Sequence, residues 1–198
     1  MRHALAILAI GLYAGAQEDW DPMRGISVRP DTWQTQGVAL EGEGERLVGR
    51  HREASNGVAL PRAARFRREL SVEATVAMRQ RLIRDGWNFA GVTLYQDSSN
   101  FWMLALVEGP DGKHGVDFIE CHDGTWQAQG APGKALEKIG NASHDWRTGE
   151  SYRLRLVCSA DRVMATVSDA TGERVLAQGA YVLAKGAAVR GGMPGLIL

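Results

Sequence analysis

"SYRLRLVCS", Ser151–Ser159, alternates without a break: Tyr152, Leu154, Leu156 and Cys158 fall on one side of an extended chain, Arg153 and Arg155 on the other. A period of two is the mark of a strand with one face on a core and one in water. Working outward, runs of the same kind recur. "LSVEATVAM" (Leu70–Met78) sets Leu70, Val72, Ala74, Val76 and Met78 against Ser71, Glu73, Thr75 and Ala77. "AGVTLY" and "FWMLALVE" flank the turn-forming "QDSSN" (Gln96–Asn100); "GVDFIEC" and "TWQAQ" flank "HDG" (His122–Gly124); "GVAL" and "RLVG" flank "EGEGE" (Glu41–Glu45). "RVMATVSD" (Arg162–Asp169) and "RVLAQGAYVL" (Arg174–Leu183) complete the series, and the stretch 130–150 reads as a loop. Short extended runs between turn signals predict an all-β, two-sheet antiparallel β-sandwich. One stretch competes. From Pro61 to Asp85, Phe66, Leu70, Ala74 and Ala77 also stand at helical spacing among strong helix formers. The five alternating apolar positions decide for a strand over its second half.

The chain has 198 residues, enough for one domain with a substantial core. Its 23 Lys and Arg balance 23 Asp and Glu, so no overall field points to nucleic acid or an anionic membrane. The arginines between Arg62 and Arg84 are dense enough to suggest an anionic ligand, against the plainer reading of a solvated face. The beginning, "MRHALAILAIGLYAGAQEDW", has a basic Arg2-His3, an apolar run from Ala4 to Tyr13 and Ala14-Gly15-Ala16 ahead of Gln17. That pattern predicts a signal peptide over residues 1–16, a secreted or periplasmic domain over 17–198, and no membrane contact after its removal. In an oxidising compartment the two cysteines, Cys121 and Cys158, would form a disulfide if their strands were neighbours, and remain buried thiols otherwise. Asn141-Ala142-Ser143 is a glycosylation sequon, which marks a surface loop.

"AGVTLYQDSSNFWMLALVEG", "VDFIECHDGTW", "WRTGESYRLRLVCSADRVMATVSD" and "GGMPGLIL" together resemble the concanavalin A-like lectin/glucanase sandwiches, in the branch of laminin-G-like and 3-keto-disaccharide-hydrolase-like domains. The resemblance covers most of residues 33–198 and implies a jelly-roll sandwich with carbohydrate as partner. Such domains continue past Gly-x-x-Gly-Leu into a last strand. This sequence stops at Leu198, which implies a missing strand or further domains of a longer chain. The Asn-Ser-Gly-x-x-x-Arg segment of the keto-disaccharide hydrolases is replaced here by "NFAGVTLYQ".

A second resemblance concerns chemistry. Val116-Asp117-Phe118-Ile119-Glu120 is similar to the Glu-x-Asp-x-x-Glu strand of family 16 glycoside hydrolases, with Gly115 where the nucleophile belongs. It implies Glu120 as acid/base and Asp117 as the orienting carboxylate. Retaining hydrolysis needs two carboxyls about 5–5.5 Å apart, and Gly115 cannot supply the attacking one. No Gly-x-Ser-x-Gly, P-loop or dinucleotide fingerprint occurs. His114, Glu120 and His122 share strand parity and could approach a metal, and Asp97 and Asn100 could offer oxygens to Ca²⁺. No other cofactor is expected.

What remains is recognition. Sugars present C–H faces to aromatic rings and hydroxyls to planar polar groups. Along "FWMLALVE", Phe101, Met103, Ala105 and Val107 read as core, which turns Trp102 and Glu108 towards a ligand. Tyr95, Asp117, Glu120 and Trp126 join them as candidate ligand-binding residues on neighbouring strands. The expectation is a non-catalytic glycan-binding or accessory module. A hydrolase using Asp117 and Glu120, or a protein-interaction module, is the alternative.

Overall fold

The fold is that of a computed structural model, which describes residues 6–9, 28–51, 56–81, 83–127, 137–141, 144–183 and 188–198. In chain order the strands are β1 (Ala6–Ala9), β2 (Trp33–Gln36), β3 (Val38–Glu43), β4 (Arg46–His51), β5 (Val58–Pro61), β6 (Leu70–Met78), β7 (Asn88–Asp97) and β8 (Asn100–Glu108). There follow β9 (His114–His122), β10 (Thr125–Gln127), β11 (Glu137–Asn141), β12 (Tyr152–Cys158), β13 (Arg162–Asp169), β14 (Val175–Val182) and β15 (Met193–Ile197). They form two antiparallel sheets, one of eight strands in the order β11-β14-β13-β12-β6-β1-β4-β3 and one of seven in the order β10-β9-β8-β7-β15-β5-β2. The molecule is an all-β sandwich. No helix among the described residues is long and apolar enough to cross a membrane.

The core lies between the sheets and follows the alternation. β12 buries Tyr152, Leu154, Leu156 and Cys158, and its neighbour β6 buries Leu70, Val72, Ala74, Val76 and Met78 against them. On the other side of this sheet Glu73, opposite Arg155, lies 3.7 Å from Arg153 and 4.0 Å from Arg155. That cross-strand charge pairing suits an extended β6 and leaves no place for the helical alternative. From the second sheet Val92, Leu94, Trp102, Leu104, Leu106, Val116 and Phe118 complete the core. Trp146 closes one end. Its ring stacks on His114 at 3.8 Å, and its indole N–H donates to the carbonyls of Val107 (3.1 Å) and Gly115 (2.9 Å).

Several expectations are corrected. The stretch 130–150 is not all loop, since Glu137–Asn141 pairs with β14 at the sheet edge. Cys121 and Cys158 are both free and buried. β9 and β12 belong to different sheets, and Cys121 faces away from the core that holds Cys158. Facing sheets stand about 10 Å apart, beyond the roughly 5–6 Å Cα reach of a disulfide. Burial pushes both thiols up. Ala6–Ala9, within the expected leader, pairs with β4 on one side and β6 on the other. The cleavage site at Ala14–Ala16, and Ala142 and Ser143 of the sequon, lie outside the described residues.

Candidate functional site

β8 is buried on both faces: Phe101, Met103, Ala105 and Val107 belong to a buried apolar cluster, as expected, but Trp102, expected to turn towards a ligand, is buried as well. Trp102 is fully buried between the sheets, packed on Phe118 and Tyr181, with its indole N–H donated to the Val189 carbonyl at 2.9 Å. It cannot serve as an exposed platform. Glu108 lies buried at the strand end, 3.2 Å from the Arg81 guanidinium, which also binds the carbonyls of Ile83 and Pro110. Glu108 therefore anchors a loop. Glu120 is fully buried, and its carboxylate accepts the Val189 N–H. Both glutamates thus belong to the fold and not to a ligand surface.

The same parity settles the hydrolase alternative. β9 pairs with β8 in unbroken register from Glu108↔His114 to Phe101↔Cys121. With no bulge, residues three apart point to opposite faces, so Asp117 and Glu120 lie on opposite sides of the sheet. They do not share the strand face on which an acid/base and its orienting carboxylate would have to stand together. His114 and His122 stand eight residues apart on this strand, about 26 Å at 3.3 Å per residue, too far to share a metal. Among the described residues no group of three or more His, Cys, Asp or Glu could hold a metal ion. Asp97 and Asn100 are committed to their turn. The Asp97 carboxylate accepts the Ser99 N–H (2.8 Å) and the Asn100 amide (3.1 Å), and the Asn100 carbonyl oxygen accepts the Asp123 N–H (3.1 Å).

That last bond positions the site. Asp123 (φ 50°) and Gly124 (φ 72°) form the two-residue turn that joins His122 to Thr125, and Gly124 N–H also donates to Ser99 at 2.9 Å. The β9–β10 turn is thereby fixed to the β7–β8 turn, and Trp126 is set opposite Cys121 on the outward face of the seven-stranded sheet. There Tyr95 stacks on Phe101 (centroids 6.1 Å apart, planes at 27°), and Trp126 meets Phe101 edge-on at 5.3 Å. Trp126 is 41% exposed and Tyr95 half-buried, whereas Phe101 lies beneath them at 3%. Met103, Ala105, Val107, Ile119 and Ile197 form a buried apolar cluster with Phe101.

A cavity of about 380 Å³ opens on this face, lined by Tyr95, Phe101 and Ile197 together with the polar Gln36, Asn56 and Ser98. Asp117 stands on the same outward side, half-buried and without a hydrogen bond or ion pair among the described residues; burial holds its carboxyl above the ordinary range. Burial, with the charge of Asp97, likewise raises the Tyr95 phenol. The surface thus offers ring faces, two primary amides, a hydroxyl and a carboxyl. Of the residues expected to bind a ligand, it collects Tyr95, Trp126 and Asp117 and leaves out Trp102, Glu108 and Glu120. Gln36, Asn56 and Ser98 lie outside the expected set, because short polar residues beside turns carry no signal that separates a site from a turn; Phe101 is buried, as the alternation implies, and reaches the cavity from beneath.

These features define a β-sandwich with an aromatic and amide-lined outward face. In fold the chain is similar to the carbohydrate-binding module CBM66 of Bacillus subtilis, at a TM-score of 0.56 and 15% identity over 84% of this chain and 87% of that one. It is also similar to the enzymatically active domain of tailspike protein 2 of bacteriophage CBA120, at a TM-score of 0.51 and 14% identity. That match covers 89% of this chain but 27% of the tailspike chain. No protein-family model matches the sequence, and no curated protein does.

Proposed function

We propose that this chain is a non-catalytic glycan-binding module of the concanavalin A-like type, exported to the periplasm or the cell exterior once residues 1–16 are removed. One observation carries the reading: ring faces, amides and a carboxyl with no hydrogen bond or ion pair among the described residues share the outward face of a sheet whose fold is also that of a carbohydrate-binding module. Tyr95 would take the C–H face of one sugar unit, with Gln36, Asn56 and Ser98 answering hydroxyls at the cavity, while Trp126 and Asp117, on strands farther across the sheet, would meet other units of an oligosaccharide. The separation of Asp117 from Glu120 by the plane of the sheet supports the non-catalytic role.

The test is a screen of the full chain against arrayed neutral and acidic polysaccharides, followed by calorimetry on the strongest binder. Trp126→Ala and Tyr95→Ala are each expected to weaken binding by at least about tenfold, roughly 1.4 kcal/mol, while the fold stays intact. Trp102→Ala is expected to lower stability by about 3–5 kcal/mol and leave the affinity of the folded fraction unchanged. Undiminished binding in both Trp126→Ala and Tyr95→Ala would remove this face from consideration.

A further inference from the structure

Nine of the sixteen described arginines have a carboxylate at hand. Arg29, Arg50, Arg79, Arg81, Arg147, Arg153, Arg155, Arg162 and Arg174 each lie within 4.0 Å of an Asp or Glu. The loop between β5 and β6 departs from that habit. In "RAARFRR" (62–68) Arg62, Arg65, Arg67 and Arg68 are all exposed, and none makes an ion pair among the described residues. Arg62 donates to the Asp31 carbonyl (3.0 Å), and Arg65 donates to that of Ala64 (2.9 Å). Those bonds orient two guanidinium groups; Arg62 also feels the Asp31 carboxylate at longer range, whereas Arg65, Arg67 and Arg68 have no such partner among the described residues. Between them Phe66 is 48% exposed.

The loop is also fixed in place. Ala64 N–H closes a turn on Pro61 (2.8 Å), and Arg67 exchanges both backbone hydrogen bonds with Gly192, at 3.0 and 2.8 Å. Gly191, at φ 84°, passes so close that a Cβ there would meet the Arg67 carbonyl oxygen at 2.1 Å. On its other side the Gly191 carbonyl accepts the Gln96 amide (3.3 Å), and Met193 pairs with Tyr95. The basic loop is therefore tied through Arg190–Met193 to the strand end that carries Tyr95, at the border of the aromatic cavity.

We infer that the 62–68 loop binds the acidic groups, sulfate or carboxylate, of a polysaccharide whose sugar rings lie on the neighbouring aromatic face. The inference rests on the glycan-binding reading above and narrows its ligand to an anionic glycan. Guanidinium forks match such oxyanions in pairs of hydrogen bonds, and preset forks lose less freedom on binding. The exposed Phe66 ring adds an apolar surface for a sugar. A chain with balanced overall charge and one compact basic loop suits a local acidic group better than the continuous phosphate backbone of a nucleic acid.

The experiment titrates the full chain with dextran sulfate, a polyuronate, neutral dextran and duplex DNA at rising NaCl. It uses the wild type, Arg67→Gln/Arg68→Gln, and Arg162→Gln as a control whose guanidinium is paired with Asp161. The double variant is expected to lose about tenfold or more for the two acidic glycans at low salt, the difference closing as salt screens the contact. The control and the neutral glycan should be unaffected. Acidic glycans bound no better than neutral dextran, or equally well by the double variant, would overturn the inference while leaving the aromatic face standing. Arginine-dependent binding tighter to DNA than to either acidic glycan would also overturn it, in favour of nucleic acid. Failure of every glycan, arrayed neutral ones included, would remove both readings.

Discussion

Asp117 carries a half-buried carboxyl beside an apolar strand neighbour, Ala105, with no ion pair among the described residues to offset its desolvation. The ionised form is therefore disfavoured in the folded state, and the folded pKa lies above the ordinary 3.8. Between those two values the folded protein holds a proton that the unfolded chain has released. This group's contribution to stability is accordingly full below the ordinary value and is lost as pH rises through the folded one. Asp117→Asn is expected to be more stable than wild type at neutral pH, the advantage fading as the pH falls towards 3.8. Urea unfolding of the two proteins across that range checks it, and a difference independent of pH would mean that the carboxyl is solvated after all. Retention of such a group on a ring-lined surface is intelligible if its second task is to accept hydroxyl protons from a ligand.

At the scale of elements, Glu120 shows how a strand residue can organise a distant segment. From the interior of the sandwich its carboxylate takes the Val189 N–H, and the Trp102 indole takes the Val189 carbonyl, so two strands hold one residue from both sides. Val189 leads into β15, which lies between β7 and β5 and contributes Ile197 to the buried apolar cluster around Phe101. Glu120→Ala leaves a buried donor unmatched and opens a cavity, and is expected to cost about 3 kcal/mol or more, with hydrogen exchange rising first along β15. Glu120→Gln retains an acceptor and should lose less than half as much; equal losses would assign the effect to charge alone. These elements also mark what could be read beforehand. β6 and β12 were legible because Glu73, Arg153 and Arg155 interrupt the apolar residues at every second position. In β8 every residue from Phe101 to Glu108 is buried, so alternation carries no information about which side faces the partner sheet. Hence the burial of Phe101 is legible but that of Trp102 is not, and the expected platform fails with Trp102. The disulfide misreading has the same origin, because two cysteines at strand ends reveal nothing about which sheet each strand joins.

For the whole molecule, the question is what the larger sheet does without its sixth strand. Ala6–Ala9 bridges β4 and β6 through backbone pairing, Ala6 facing both Gly49 and Met78. Removal of residues 1–16, as the proposed export would entail, would leave the β3–β4 hairpin with no lateral partner in its sheet among the described strands. That hairpin has other holds: Val38 and Leu47 are buried in the common core, Val38 packs against Gly57, and Gly49 lies under the Leu198 side chain. The processed domain should therefore remain a sandwich, anchored through contacts across the core, while its backbone opens locally along the vacated strand. Hydrogen exchange on the full chain and on residues 17–198 is expected to show amides of Leu47–Gly49 and Val76–Met78 exchanging at least about tenfold faster in the shorter protein, a local loss of roughly 1.4 kcal/mol. Leu154–Leu156, paired between β6 and β13, should not change. Equal protection in both chains would mean that the pairing of Ala6–Ala9 contributes nothing to the sheet. Loss of protection throughout the shorter chain would instead make the first strand indispensable to the fold, and set the structure directly against removal of the segment.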